Sequence, residues 1–174
     1  MNDEKDNLGG SKSTGKKLAL TLVVGMLIGA LLSMAAVFKL MPSMMIVTEE
    51  TQTGFDETVE ALEKSIVANG WVVSGVSDMN KSMAKHGVEF VPRVKLVKLC
   101  NPHYVKSVLT TDRYVGAMMP CTFAVWEDDA GKVFLSKVNL GLMAKMFGGN
   151  IAKVMGQDVV NDEYHILHGI IKEK

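Results

Sequence analysis

The pattern of hydrophobic and polar positions separates an apolar N-terminal segment from a longer, mixed remainder. Residues Leu18 to Phe38 carry no charge, and these 21 residues would span about 31 Å as a helix, enough to cross the hydrocarbon layer of a bilayer. We therefore predict a transmembrane signal-anchor over residues 18–40. Residues 1–17 are polar and lack apolar periodicity, so they are predicted to be a disordered cytoplasmic N-terminus.

Charges beside the apolar segment predict its orientation. Lys12, Lys16 and Lys17 precede it, whereas only Lys39 follows closely. By the positive-inside rule the N-terminus stays in the cytoplasm, and the folded domain is extracytoplasmic, in the periplasm. A cleaved signal peptide is the alternative, because Ser-Met-Ala at residues 33–35 resembles a cleavage site, although the apolar run exceeds a typical signal core. Whether the segment is cleaved stays open, and both interpretations export the domain.

From residue 44 to residue 172 the pattern predicts one domain of short strands and helices. Strands are predicted over residues 44–47, 71–76, 93–99, 122–127 and 132–138. Helices are predicted to follow N-caps at Thr53, at Ser77 or Asp78, at Asn101 and at Asn139. The C-terminal tail is predicted to be helical, with a bend near Gly156. No strict βαβ repeat appears. The predicted fold class is α+β, a mostly antiparallel sheet with helices packed on one face, preceded by one transmembrane helix.

Charge and motif content exclude some functions. The chain has 19 basic and 19 acidic residues, and no basic stripe follows a predicted element, so nucleic acid is not an expected partner. Glu127, Asp128 and Asp129 are predicted to lie in a solvated hairpin turn. The sequence contains no serine nucleophile elbow, phosphate-binding glycine loop or HExxH motif. No cofactor is evident, and the sequence does not decide whether the protein is an enzyme.

The two cysteines provide the most specific chemistry in the sequence. Cys100 ends one predicted strand and Cys121 begins another, and strand parity predicts that both thiols lie on the core side. If these strands are antiparallel neighbours, the two residues come together, and a disulfide could close the intervening loop. Buried thiols or a structural disulfide are one interpretation.

Two functional interpretations of the cysteines stay open. Cys100 precedes a predicted helix N-terminus, which favours thiolate, so Cys100 and Cys121 are candidate catalytic residues for redox or sulfur transfer. Alternatively, a soft metal ion could bind Cys100 and Cys121 with His103, Met118 or Met119. No tetrad with standard zinc spacing supports the second interpretation.

Histidine and methionine give weaker signals. His165 and His168 lie three residues apart on the predicted tail helix, but solvated surface residues are the simpler interpretation. The 13 methionines include the close pairs Met118 with Met119 and Met143 with Met146. Thioethers are ligands for copper(I), but methionine is also a common filler of irregular cores, and we expect the second role.

At these residues the sequence resembles the DUF302 family, a domain of unknown function. The resemblance runs from Met44 to Ile171. The motifs that carry it are Gly54-Phe55-x-x-Thr58-Val59, Cys100-Asn101-Pro102, and Pro120-Cys121 leading into Val125-Trp126-Glu127. The resemblance implies a compact α+β domain, often dimeric, without an established activity. An N-terminal anchor and the methionine-rich stretch at residues 116–119 depart from the family pattern.

These observations lead to one main functional hypothesis and two alternatives. We expect a membrane-anchored, extracytoplasmic binding or assembly module of the DUF302 type. The alternatives are a thiol-redox or sulfur-transfer protein that uses Cys100 and Cys121, and a protein that binds a soft metal or haem. The membrane is the expected partner of Leu18 to Phe38, and a homodimer is implied by the resemblance alone. The ligand, the protein partner and the oligomeric state stay open.

Overall fold

A computed structural model describes residues 10–172, and the chain divides into two compact units between Ser43 and Met44. Helix α1 spans Gly10–Met45, so residues 10–17 are helical where disorder was predicted; residues 1–9 lie outside the described residues. Within α1, Leu20–Met41 has a mean hydropathy of 2.4 and no buried residues. It is the one helix among residues 10–172 that is long and apolar enough to cross a membrane.

The second unit is built on a five-stranded antiparallel sheet. Its strands are β1 (Ile46–Glu50), β2 (Val72–Asp78), β3 (Val94–Cys100), β4 (Cys121–Glu127) and β5 (Val133–Val138). They lie side by side in the order β1-β5-β4-β3-β2, and every neighbouring pair is antiparallel. This arrangement confirms the predicted fold class.

The helices of this unit connect and cover the strands. They are α2 (Phe55–Ala68), α3 (Met79–Ala84), α4 (Pro102–Thr111), α5 (Leu140–Phe147), α6 (Gly149–Lys153) and α7 (Val159–Leu167). A 3-10 helix follows α4 (Arg113–Met118), and a π-helical turn joins α6 to α7 (Val154–Asp158).

The core forms where alternate strand residues meet the apolar faces of α2 and α7. Val97 and Leu99 of β3 and Phe123 and Val125 of β4 are fully buried, whereas the residues between them are only half-buried. This period of two places one side of the sheet against the helices. Full burial of each such side chain stabilises the fold by about 1.5–3 kcal/mol. The sheet is therefore a rigid platform for the residues at its ends.

Helix caps explain why several elements begin where the sequence predicts. The Asn101 Oδ1 atom accepts a hydrogen bond from the His103 backbone N–H at 3.0 Å, and Pro102 occupies the first helical position. Asn139 caps α5 in the same way through the Leu142 N–H, at 3.1 Å. Asn101 thus ends β3 and starts α4 at a defined point, which holds Cys100 in place.

Some local predictions were wrong. The N-cap of α2 is Gly54, because the Thr53 hydroxyl bonds to the Thr58 hydroxyl at 2.9 Å rather than to the helix end. Glu127 is the last residue of β4, and Arg93 donates two hydrogen bonds to it, so it does not lie in the solvated turn. The turn itself is held by Asp128, which accepts hydrogen bonds from two backbone N–H groups.

The predicted bend in the C-terminal tail is confirmed as the π-helical turn. Gly156 lies in this turn, and a Cβ atom at that position would lie 3.0 Å from the Cβ atom of Ala144 in α5. A larger residue would therefore separate the two helices. The close approach brings α7 against the sheet end that carries both cysteines.

Candidate functional site

The two cysteines lie at one end of the sheet, where β3 ends and β4 begins; we call this region the cysteine end. Leu99 pairs with Cys121 across the two strands, so Cys100 lies one position beyond this pair. Cys121 has the core-facing parity of Phe123 and packs against the core. Cys100 has the opposite parity. The prediction that both thiols lie on the core side is therefore met by Cys121 and not by Cys100.

Both cysteines are free thiols and half-buried, so the structure contains no disulfide between them. Burial raises the pKa of the Cys121 thiol to about 12, and the nearby Glu163 carboxylate and Cys100 add to this increase. A thiol with such a high pKa stays protonated at neutral pH and is a weak nucleophile. Cys121 is therefore better suited to contact a ligand than to attack one.

A buried ion pair lies next to Cys121. Glu163 of α7 is 2 % exposed. Among residues 20–41 and 43–172, it is the one charged residue that is buried. Lys137 of β5 donates a hydrogen bond to its Oε2 atom at 2.5 Å. Burial raises the pKa of Glu163, and the Lys137 charge opposes that increase. The pair is needed because an unpaired charge at this depth would cost several kcal/mol.

The preceding residue of α7 holds a second polar contact. The Asp162 Oδ2 atom accepts hydrogen bonds from Trp71 Nε1 and from the Tyr104 hydroxyl, each at 3.0 Å. The two rings pack edge to face, with their centroids 5.7 Å apart. Burial, followed by the bond to Asp162, raises the pKa of Tyr104. Two consecutive carboxylates of one helix are thus fixed by partners from three other parts of the domain.

Two cavities meet at Cys121. The larger has a volume of about 260 Å³, and its walls include Met118, Cys121, Met143 and Glu163. The smaller, of about 30 Å³, is bounded by both cysteines and by the ring of Tyr104. A space of this size holds a single water molecule, whereas the larger cavity can admit a small ligand.

A third cavity, of about 560 Å³, lies on the Lys137 side of the ion pair. Its lining includes Lys137, Tyr164, His168 and Lys172. Glu163 borders the larger cavity of the cysteine end and Lys137 borders the third cavity, so the ion pair lies between these two cavities. Lys137 consequently retains 16 % side-chain exposure, whereas Glu163 retains only 3 %.

Comparison with known proteins identifies the domain. A profile of DUF302, a domain of unknown function, matches residues 47–167. The chain belongs to the DUF302 family. The crystal structure of an uncharacterised conserved DUF302 protein from Bacillus stearothermophilus is similar, with a TM-score of 0.64 and 23 % identity over 72 % of this chain and 98 % of that one. This likeness shows the shared fold. No curated protein matches the chain.

The first DUF302 motif has a structural role at the sheet end opposite the cysteines. Gly54 is the N-cap of α2, and a Cβ atom at this position would require the end of the Glu57 side chain to move. Phe55 is buried beneath the guanidinium of Arg93, which lies 4.4 Å from the ring centroid. Thr58 is fully buried and donates a hydrogen bond to a backbone carbonyl. The remaining motifs, Cys-Asn-Pro and Pro-Cys, build the cysteine end.

The structure separates the candidate metal ligands predicted from the sequence. Met118 and Cys121 border the larger cavity of the cysteine end, whereas Cys100 and Met119 border the smaller one. His103 is exposed on α4 and lines neither cavity. Among residues 10–172, no group of three or more His, Cys, Asp and Glu side chains could hold a metal ion. The donors that the fold brings together are therefore mainly sulfur atoms.

Sequence reasoning missed Lys137 and Glu163, although a signal for both exists. Lys137 continues the alternation of Val133 and Leu135, which face the core. Glu163 lies on the apolar stripe of α7, four residues after the buried Val159. A charge at a core position of a strand and an opposite charge at a core position of a helix together suggest a buried pair. The sequence also indicated Met143 only as one of a close pair with Met146, and not as a residue that lines a cavity.

Proposed function

We propose that the protein is a membrane-anchored, extracytoplasmic binding module that takes a small ligand into the larger cavity of the cysteine end. The observation that carries this proposal is the buried Lys137–Glu163 ion pair beside that cavity. Buried ion pairs contribute little to net stability, since apolar residues of similar volume often do as well. A charged pair at the edge of a cavity is thus better explained by recognition than by folding.

The geometry of the cavity supports binding. Its walls come from the 3-10 helix, the strand ends and helices α5 and α7, so the lining side chains are held by several rigid elements. Most of the lining is apolar, and Glu163 supplies an acidic group whose position is fixed by Lys137. An apolar recess with few, well-positioned polar groups is the usual form of a small-molecule site.

Helix α1 supports the anchored and exported location in this proposal. The apolar stretch Leu20–Met41 has 22 residues, which exceeds the length needed to cross a bilayer. Lys12, Lys16 and Lys17 lie shortly before it and only Lys39 lies near its end, which favours a cytoplasmic N-terminus. A domain held at the outer face of a membrane is well placed to capture a ligand from that compartment.

Native mass spectrometry of the full-length protein, isolated from expressing cells in a mild detergent, tests the proposal. We expect a bound adduct on the wild-type protein and on Met146→Trp, whose parent side chain is 68 % exposed. We expect no adduct on Met143→Trp, because the indole would fill the cavity from the same helix. A wild-type protein without any adduct, or an adduct that persists on Met143→Trp, would contradict the proposal.

The thiol-redox or sulfur-transfer alternative is favoured by one observation. The strand register brings two free cysteines to adjacent positions at the sheet end. Cys121 is a protonated thiol at neutral pH, so Cys100 would have to be the nucleophile. This alternative requires that iodoacetamide modifies Cys100 at pH 7 in the folded, reduced Cys121→Ser variant. Resistance of this thiol until denaturant is added would eliminate the alternative.

A further inference from the structure

Sulfur-bearing side chains are concentrated around the cysteine end. Six of them line its two cavities: Cys100, Met118, Met119, Cys121, Met143 and Met155. Cys121 borders both cavities and is thus the common member of the group. The proposed function leaves this concentration unexplained, since an apolar pocket could be lined equally well by leucine.

The larger cavity receives three of these sulfur atoms from three different elements. Met118 ends the 3-10 helix, Cys121 begins β4, and Met143 lies in α5. Methionine often fills gaps in a core, but Met118 and Met143 are only half-buried and border an open space. Three sulfur-bearing residues from separate elements thus border one cavity, so their side chains can reach an ion placed within it.

We infer that the larger cavity of the cysteine end binds a soft monovalent metal ion, Cu(I) or Ag(I), through the sulfur atoms of Cys121, Met118 and Met143. This inference rests on the proposed function and names the ligand class of the same site. Thiolate and thioether donors select soft ions over Mg²⁺ and Ca²⁺, which need oxygen ligands. His103 and Met119, which the sequence suggested as ligands, are not part of this site.

Charge balance favours a monovalent ion. The Lys137–Glu163 pair has no net charge but presents its acidic member to the cavity, which favours a cation there, and one thiolate neutralises one unit of positive charge. A divalent ion would leave a net positive charge in a partly buried space, which is costly. On binding, the S–H bond of Cys121 breaks, an S–metal bond forms, and the proton leaves to solvent. No electrons are transferred, so the step needs no oxidant or reductant.

Metal titration of the reduced full-length protein in detergent tests this inference. Ag(I) is added alone, Cu(I) is added from a bicinchoninate-buffered solution, and Zn(II) serves as the borderline ion for comparison. We expect one tightly bound Ag(I) or Cu(I) per chain and much weaker Zn(II) binding. For bound Cu(I), X-ray absorption should report a first shell of sulfur atoms.

Matched variants locate the ion. Cys121→Ser should abolish stoichiometric binding. The double variant Met118→Leu with Met143→Leu should weaken the affinity for the ion at least about tenfold, because loss of a residue that only supports a metal ligand already lowers affinity by about this factor. Met146→Leu is the control, because its parent side chain is exposed outside the cavity. Circular dichroism confirms that each variant is folded. Binding that survives Cys121→Ser, or a double leucine variant equal to Met146→Leu, would overturn the inference.

The remaining outcomes separate the inference from the proposed function. Loss of binding in Cys100→Ser but not in Cys121→Ser would move the ion to the other cysteine and overturn the inference. If neither soft ion binds while the native mass spectrum shows an organic adduct that Met143→Trp removes, the inference is wrong and the proposed function stands. If no adduct of either kind is found, both are wrong.

Discussion

The two ends of the sheet carry ionic groups in opposite settings. At the end opposite the cysteines, Arg93 contacts Asp56 and Glu127, and Lys95 contacts Asp56, with Arg93 and Asp56 half to two-thirds exposed. We call these four residues the arginine cluster. At the cysteine end, the Lys137–Glu163 pair is almost completely removed from solvent. Ion pairs are thus exposed to solvent at one end of the sheet and buried at the other.

The difference shows in the pKa values. The hydrogen bond from Lys95 lowers the pKa of Asp56 and the hydrogen bond from Arg93 lowers that of Glu127, because these effects exceed the opposing effect of partial desolvation. Burial instead raises the pKa of Glu163 despite its lysine partner. The arginine cluster is therefore an ordinary stabilising surface network, whereas the buried pair is an unfavourable arrangement that needs another explanation. Ligand binding at the neighbouring cavity provides it.

The largest predicted effect concerns the loss of one member of the buried pair. Lys137→Met should lower the free energy of unfolding by about 3 kcal/mol, because Glu163 then has no partner and almost no contact with solvent. Glu163→Leu should cost clearly less, since Lys137 borders the 560 Å³ cavity and can extend its ammonium group toward water. Chemical denaturation of each full-length variant gives both values. Equal costs for the two variants, or a larger cost for Glu163→Leu, would contradict this asymmetry.

An intermediate effect is expected at Asp162. Tyr104→Phe removes one of the two hydrogen bonds to its carboxylate and should destabilise the domain by about 1.5 kcal/mol. Tyr114→Phe provides the control, because the Tyr114 side chain is 66 % exposed. Thermal unfolding followed by circular dichroism measures both. A Tyr104→Phe variant as stable as Tyr114→Phe would show that Trp71 alone satisfies the carboxylate.

The smallest effect is expected at the arginine cluster. Because the folded pKa of Glu127 lies below its ordinary value of 4.5, its stabilisation is present above about pH 4.5 and is lost as the pH falls through the folded pKa. Arg93→Gln should therefore make the loss of stability in acid shallower. High salt should reduce the difference between the two proteins. Denaturation at several pH values is the measurement, and parallel pH profiles would contradict it.

Much of the fold could be predicted because its signals are local. Asn101 with Pro102 and the cap at Asn139 are defined by neighbouring residues, and the structure confirms these caps. The bend at Gly156 likewise needs only a small residue within an apolar helix. The error at Thr53 also has a local cause, because its hydroxyl bonds to the hydroxyl of Thr58, five residues further on, which also donates to the Thr53 backbone carbonyl.

The candidate site was harder to predict because its contacts are distant in sequence. Lys137 and Glu163 are 26 residues apart, and Arg93 and Glu127 are 34 apart. Such contacts depend on strand order and on the path of α7, which periodicity alone does not determine. The neighbouring positions of Cys100 and Cys121 were predicted because one antiparallel pairing brings them together. Their different faces follow from which residues of β3 face the core: Val97 and Leu99 are buried, so alternation places residue 100 on the other face.

The free energy of unfolding of the double variant Lys137→Met with Glu163→Leu tests the central claim most directly. If the buried pair exists for ligand binding, apolar residues can replace it, and the double variant should be at least as stable as the wild type. The same preparation should have lost the adduct seen on the wild-type protein by native mass spectrometry. A double variant that is as unstable as Lys137→Met alone, or one that keeps the adduct, would contradict the account.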